Sequence, residues 1–367
     1  MNYPLKTRQI ALFFIAFLPV VKMFTMPKSA AEACNEDMWI SILLCLIIDY
    51  ATILALIKIN KTHQKPFYDI LKDRFGTITA KTIFFVYFLF FMIKAFTPIF
   101  ELRNFVQNSF YSTSLRTFPF VPFFILSVYF CTKKYSVLGR LSDLLWIMTV
   151  LGVSLILFLS IANADFGAIM PIFNNGLNIF KGSYFITPWF TDASYLLFMI
   201  GFFKHEEKTT LKLSLAFLAH GIIILLFSIV FYCSFTFVAK REFFPLSEIA
   251  KYSGVINAIG RFDYIAILII LISNTVSVAL PLYFATKTLS MIIPIKNNVI
   301  IPIIINVSHL IIATFFERYQ QFIIAIIHLN LSPVMLCLGN IAPFLLLFIK
   351  PKKADFTNNK ALLKRSA

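Results

Sequence analysis

The sequence predicts an all-α integral membrane protein with ten transmembrane helices, arranged as a five-plus-five inverted repeat in which helices 1 and 6 are interrupted. Three observations predict it. Hydrophobic residues make up 59% of the 367 residues and charged residues only 14%, against about 25% in soluble domains, and the mean hydropathy is +0.83. Apolar stretches of about 20 residues, the length that crosses a bilayer, recur along the whole chain. Two of them, the first and the sixth, carry prolines and charges part-way through, at corresponding places in the two halves.

Taken in order, the expected spans are residues 9–28, 38–59, 82–106, 117–132, 140–162, 185–204, 212–238, 260–286, 297–316 and 332–350. The fourth is short, and residues 319–330 read equally as a surface helix or as the start of the last span, so nine or eleven crossings stay open. Between spans two and three, Phe67, Ile70, Leu71 and Phe75 share one face at helical spacing, which predicts a short helix on the membrane surface. Residues 163–184 and 239–259 are the longer loops, and residues 351–367 form a polar, basic tail. Membrane-spanning residues 1–350 make one domain, with no soluble domain beside it.

Charge orients the bundle. With the N-terminus in the cytoplasm, 22 of the 33 Lys and Arg residues fall on inside segments, nine outside and two within spans. That excess follows the positive-inside rule and places both termini in the cytoplasm. The net charge of +16 is therefore accounted for by the flanks of membrane helices facing anionic lipid, and no basic domain for nucleic acid stands apart. The start of the chain, with Pro19 and Lys22 inside its apolar run and no small-residue cleavage site, reads as a first span rather than a leader. The five cysteines show no CxxC spacing, so a disulfide framework is not expected.

The chemistry is expected at the breaks. The first span reads QIALFFIAFLPVVKMFTMPK, with Pro19 and Lys22 in its middle; the sixth reads FITPWFTDASYLLFMIGFFK, with Pro188 and Asp192. Proline breaks the helical hydrogen-bond ladder. Broken backbone at membrane depth occurs where protein or a cavity surrounds it, and a matched pair of such breaks marks a transporter-like binding site. Half-helix N-termini suit a carboxylate and exposed carbonyls suit an ammonium, which together fit a zwitterion such as an amino acid. Lys22, Asp49, Lys94 and Asp192 lie at mid-membrane depth, where each charge costs roughly 2.5–3.5 kcal/mol unless paired, and they are candidates for an ion pair or proton site. Candidate ligand contacts are Pro19, Lys22, Lys94, Pro188, Asp192 and Asn274. The plainer reading makes the charges structural pairs, with the lysines reaching to an interface. His220, Ser273, Ser277, Asn306, His309 and Asn340 read as helix-to-helix bonding groups. No enzyme motif, cofactor site or metal-ligand cluster is present in the pattern.

Seven segments follow one another along the chain: Asp37-Met38-Trp39-Ile40 at the entry to span two, PFYDILKDRFG (66–76), LRNFVQ (102–107), YSVLGRLSDLLWIM (135–148), MPIFNNGLNIFKGS (170–183), GRFDYIAILI (260–269) and IAPFLLLFIKPKK (341–353). In this order they resemble the spore germination permeases, the B-type membrane subunits of nutrient germinant receptors, which are related to amino acid–polyamine–organocation transporters. Where the wider superfamily places glycine at the first break, this chain has Pro19-Val20-Val21-Lys22. The resemblance implies a five-plus-five fold and a multi-pass protein of the spore inner membrane. It implies binding of a small nutrient, partnership with an A-type and a lipoprotein C-type subunit, and signalling that triggers germination. The alternative it leaves is a proton-coupled amino acid transporter.

Overall fold

The computed structural model describes residues 4–110, 120–252, 263–295 and 297–349. The basic tail, Arg116, Arg261, Lys296 and the starts of expected spans four and eight lie outside the described residues. Among the described residues the chain is all α, with a single bridge between Leu5 and Phe203 in place of any sheet.

The helices are α1 (Thr7–Lys22), α2 (Met26–Cys34), α3 (Met38–His63), α4 (Phe67–Phe110), α5 (Val121–Cys131), α6 (Tyr135–Ser160), α7 (Asn178–Ile186), α8 (Ala193–Met199), α9 (Thr209–Phe235) and α10 (Pro245–Tyr252). They continue with α11 (Asp263–Ile292), α12 (Ile300–Phe315), α13 (Gln320–Ala325), α14 (Ser332–Leu336) and α15 (Ala342–Leu345), the last three joined by π turns. Among the described residues five helical stretches are long and apolar enough to cross a membrane by themselves, and α12 with the segment Glu317–Asn330 forms a further pair bent by 77°. The first expected span is α1 and α2, parted at Met23–Thr25. The sixth, expected over 185–204, is α7 and α8, parted at 187–192; α7 begins at Asn178, inside the stretch 163–184 expected as a loop. The second interruption holds Pro188 and Asp192 as expected, whereas the first falls just after Lys22 and leaves Pro19 inside the continuous helix α1.

Packing carries the internal symmetry. α1 lies against α6, α9 and α11; the second broken unit makes the counterpart contacts, α8 with α3, α4 and the α14–α15 segment. Exchanging each span with the one five places on turns the first set into the second. The contact between α4 and α11, the third and eighth spans, maps onto itself. Because five is odd, the two halves enter the membrane from opposite sides.

Lipid and protein faces separate along each helix. On α9, Leu211, Leu215, Leu218, Ile222 and Leu226 are exposed at three- and four-residue spacing, while Leu213, Phe217, His220, Gly221 and Ile224 are buried. In hydrocarbon such an outer stripe is solvated by acyl chains, so it needs no cover. Leu5, His63, Phe203 and Ile349 lie together on one face of the bundle, called here the terminal face. On the opposite face Asp37, buried at the start of α3, accepts the backbone N–H groups of Phe173 and Asn175 at 2.8 Å each. That bond ties two of the segments carrying the resemblance, 37–40 and 170–183, to one another.

The helix expected on the membrane surface packs differently. Phe67, Ile70 and Leu71 are buried, with Phe67 against Phe84, Tyr87 and Phe198, and only Phe75 of that face is exposed. Gly76 explains the change: its φ of 85° turns the chain between this first stretch of α4 and the rest, folding the apolar face onto the bundle. All five cysteines are free; Cys34, expected in an outer loop, is buried and bonds Ser41 and Ala30 O.

The terminal face closes through Gly201, whose φ is +79° and whose added Cβ would sit 2.2 Å from backbone atoms of Lys65 and Pro66. At Gly76 nothing lies within 4 Å. Gly76→Ala is therefore expected to cost only backbone strain, about 1–3 kcal/mol, whereas Gly201→Ala adds a clash that backbone cannot relieve and costs more. Thermal unfolding of the purified variants should rank them in that order.

Candidate functional site

The two breaks meet at the centre of the bundle. α1 ends on Lys22, which is buried; its Nζ donates to Leu18 O at 3.1 Å and pairs directly with the Asp192 carboxylate across the gap to the second break. Asp192 stands at the entry to α8. His220 of α9 brings Nε2 to 3.5 Å from Asp192 Oδ2. Lys22 also lies over the Phe190 ring, 5.2 Å from its centre.

The remaining two predicted charges serve the second break from other helices. Asp49 of α3, fully buried, accepts the N–H groups of Asp192 at 3.1 Å and Ala193 at 3.2 Å. Those are orphan donors at the start of a helix, which a carboxylate is suited to cap. Lys94 of α4 donates to Thr191 O at 2.9 Å and Thr191 Oγ1 at 2.7 Å, and its ammonium lies 4.3 Å from the centre of the Tyr195 ring. Asn340 donates to Phe190 O at 3.1 Å. The broken backbone is thus bonded by side chains of α3, α4 and the last helical segment. Within α1, Ala16 O accepts from Thr149 of α6 at 2.7 Å, and at the first break Thr25 donates to Glu101.

A central cavity lies alongside. It is lined by Leu18, Lys22, Lys94, Thr97, Pro188, Trp189, Asp192, Ser277 and His328, among others, and the centre of a water molecule can move within about 40 Å³ of it. A site needs on the order of 10–15 Å³ by that measure for one water, so this space admits a few waters while the charges stay paired. Of the predicted ligand contacts, Lys22, Lys94, Pro188 and Asp192 line the cavity. Pro19 sits one position beyond its wall, in α1. Asn274 is buried in α11 three residues from Ser277, its Oδ1 without a hydrogen bond among the described residues.

Four residues enter the site that the sequence reading did not single out. Thr191 receives Lys94, Tyr195 supports it, and His328 of the π turn after α13 stacks on Trp189 with ring centres 4.0 Å apart. Glu101 is buried in α4, seven residues after Lys94, so the two share a helix face. A carboxylate inside the run 82–106 was the available signal. His220, read as a helix-bonding group, instead faces Asp192. Among the described residues no group of three or more His, Cys, Asp or Glu is placed to hold a metal ion.

Residues 4–336 match the family model described as Spore germination protein, a spore permease. The chain belongs to the spore germination permease family. No curated protein matches it. Among solved structures it is similar to a manganese transporter mutant from Eremococcus coleocola, with a TM-score of 0.61 at 10% identity, over 94% of this chain and 78% of that one. At that identity the likeness concerns the fold: the permease has a transporter-like, all-α membrane architecture.

The capping role of Asp49 gives a graded expectation. Asp49→Leu leaves two buried N–H groups without an acceptor, about 1–3 kcal/mol each, while Asp49→Asn keeps one acceptor oxygen. Thermal unfolding in detergent should show Leu well below Asn and Asn below the parent; equal values for Asn and Leu would contradict the cap.

Proposed function

We propose that this permease is the membrane subunit of a spore nutrient germinant receptor, binding a small germinant, an amino acid, and triggering germination. In this reading it lies in the spore inner membrane with ten crossings, both termini in the cytoplasm, and works with an A-type and a lipoprotein C-type subunit. The observation that carries it is the Lys22–Asp192 pair on the wall of a central cavity, where the two broken helices meet. A zwitterion offers a carboxylate to Lys22 and an ammonium to Asp192, exchanging the internal partner of each for its own. That exchange parts the internal pair that holds the two broken helices together, so occupancy and conformation are one equilibrium. Moving it from 1:99 to 99:1 needs a differential affinity of about 5.5 kcal/mol. Removing one partner of a buried pair costs 3–5 kcal/mol, which is of that order. Family membership supports the germination role.

Proton-coupled amino acid transport is the second reading. It is favoured by the titratable groups gathered at the breaks, Lys22, Asp49, Lys94 and Asp192 with His220 beside them. Saturable amino acid uptake into proteoliposomes, abolished by a protonophore, would establish it.

Deletion of the gene should abolish dipicolinate release from spores in response to one class of nutrient, and the intact gene should restore it. Lys22→Met and Asp192→Asn are expected to abolish that response with the protein still present in the membrane; normal responses from both at normal abundance would exclude a site at the breaks. For orientation, Leu177→Cys should react with an impermeant thiol reagent from outside and Lys353→Cys should not.

A further inference from the structure

A second, larger cavity opens on the face opposite the terminal one. The centre of a water molecule can move within about 390 Å³ of it, far more than in the central cavity. Its walls come from the start of α2, from α4, from the second break and from α13, and they hold Thr25, Glu101, Asn104, Phe185, Trp189 and Phe243. Trp189 belongs to the central cavity as well, so its indole is the partition between the two spaces.

Glu101 is the unusual group there. It is only 5% exposed, and Thr25 donates to its Oε1. Its Oε2 is buried and accepts no hydrogen bond of normal geometry, although Trp189 Nε1, likewise unbonded, lies close to it. The nearby cations are committed elsewhere: Lys28 on the same wall pairs with Glu32, and Arg103 bonds Ala313 O, Gln320 and Glu317. A buried carboxylate oxygen with an open acceptor position is costly unless something fills it. An ammonium, with three donors and no acceptor, is the complementary group. Trp189, Phe185 and Phe243 line the same space, and aromatic rings attract cations.

We propose that this vestibule binds a primary ammonium group, carried by a small zwitterion or an organic cation, with the Glu101 carboxylate as its anionic partner and Trp189 as its floor. The assignment deepens the receptor reading, and its physiological meaning rests on that reading. The vestibule takes the nutrient's ammonium before the inner pair opens. Trp189 then passes occupancy inward, because its ring rests on His328, which bonds Phe185 O at 2.9 Å and lies 3.3 Å from Thr97 Oγ1.

The test uses the full-length chain in phosphatidylcholine nanodiscs, with Trp39→Phe and Trp146→Phe so that Trp189 alone emits. Ethylammonium, glycine and acetate are titrated at matched ionic strength. Ethylammonium or glycine should shift the emission saturably and acetate should not; a response to both marks any amine, and a response to glycine alone marks a zwitterion. Glu101→Gln should weaken binding by about tenfold or more, the effect of losing a charged hydrogen-bond partner. Ala325→Phe, which fills the opposite wall and leaves Glu101 in place, should do the same and covers the case in which the Glu101 variant fails to fold. Leu215→Ala, on the exposed lipid face of α9, should leave the response intact. Equal responses to acetate and ethylammonium, no response to any probe, or amine binding unchanged in both vestibule variants would overturn the assignment. Spores that germinate normally without the gene, with vestibule binding intact, would remove the receptor reading and leave the site standing.

Discussion

The fold depends on how the broken backbone at residues 187–193 is hydrogen-bonded at membrane depth. In hydrocarbon each unsatisfied N–H or C=O costs several kcal/mol, so an interruption in a membrane helix survives only where protein supplies partners. Here Asp49 takes two N–H groups, Lys94 and Asn340 take two carbonyls, and Lys22 balances Asp192. The same side chains are the charges that would otherwise be too costly to bury. Interruption and ionised residues therefore stabilise each other, and removing either leaves the other without a reason to persist. Lys22, Asp49, Lys94 and Asp192 each come from a different helical segment, which makes this cluster the point where α1, α3, α4 and α8 are held in register.

Around that centre the permease is layered. The terminal face is shut by tight backbone contact at Gly201 and by Asn60, whose side chain accepts Gly201 N–H at 2.9 Å. The middle holds the paired charges with little free space. The opposite face carries the wide vestibule, with Trp189 and His328 between it and the middle. The bend after α12 makes this arrangement possible. Arg103, buried in α4, bonds Ala313 O at the end of α12 and Gln320 at the start of α13, fixing the 77° turn that brings His328 inward. The cost of burying a guanidinium is offset because it bonds the free carbonyls of a helix end, where a cation is favoured.

A layered molecule of this kind has physical properties of a receptor and of a transporter alike. Both need a ligand that binds one arrangement of the broken helices better than another. What separates them is whether the terminal face also opens, and Gly201 with its backbone neighbours is the contact that must part for that to happen.

The sequence by itself determined the class of solvent and the places where helices fail. Composition and run length required a membrane protein, because no soluble core could bury so many apolar residues. Pro188 marked the second interruption, because proline lacks the N–H a helix needs, and Lys22 stands at the first, while Pro19 is carried inside α1. The unfavourable burial of Lys22, Asp49, Lys94 and Asp192 marked them as paired or functional. Tertiary structure decided the rest. Which acid meets which base depends on helix packing: Lys22 faces Asp192, while Asp49 bonds backbone and Lys94 meets Thr191 rather than a carboxylate. Asn274 is ordinary in sequence terms and lies off the cavity wall, because α11 turns Ser277 and Pro281 toward that space instead. Glu101 was hidden near the end of an apolar run, where a carboxylate reads as an interface residue. Only the folding of Thr25 and Trp189 against it made it a buried group with an open acceptor. One-dimensional pattern reports what each segment must bury, and only packing reports what it is buried against.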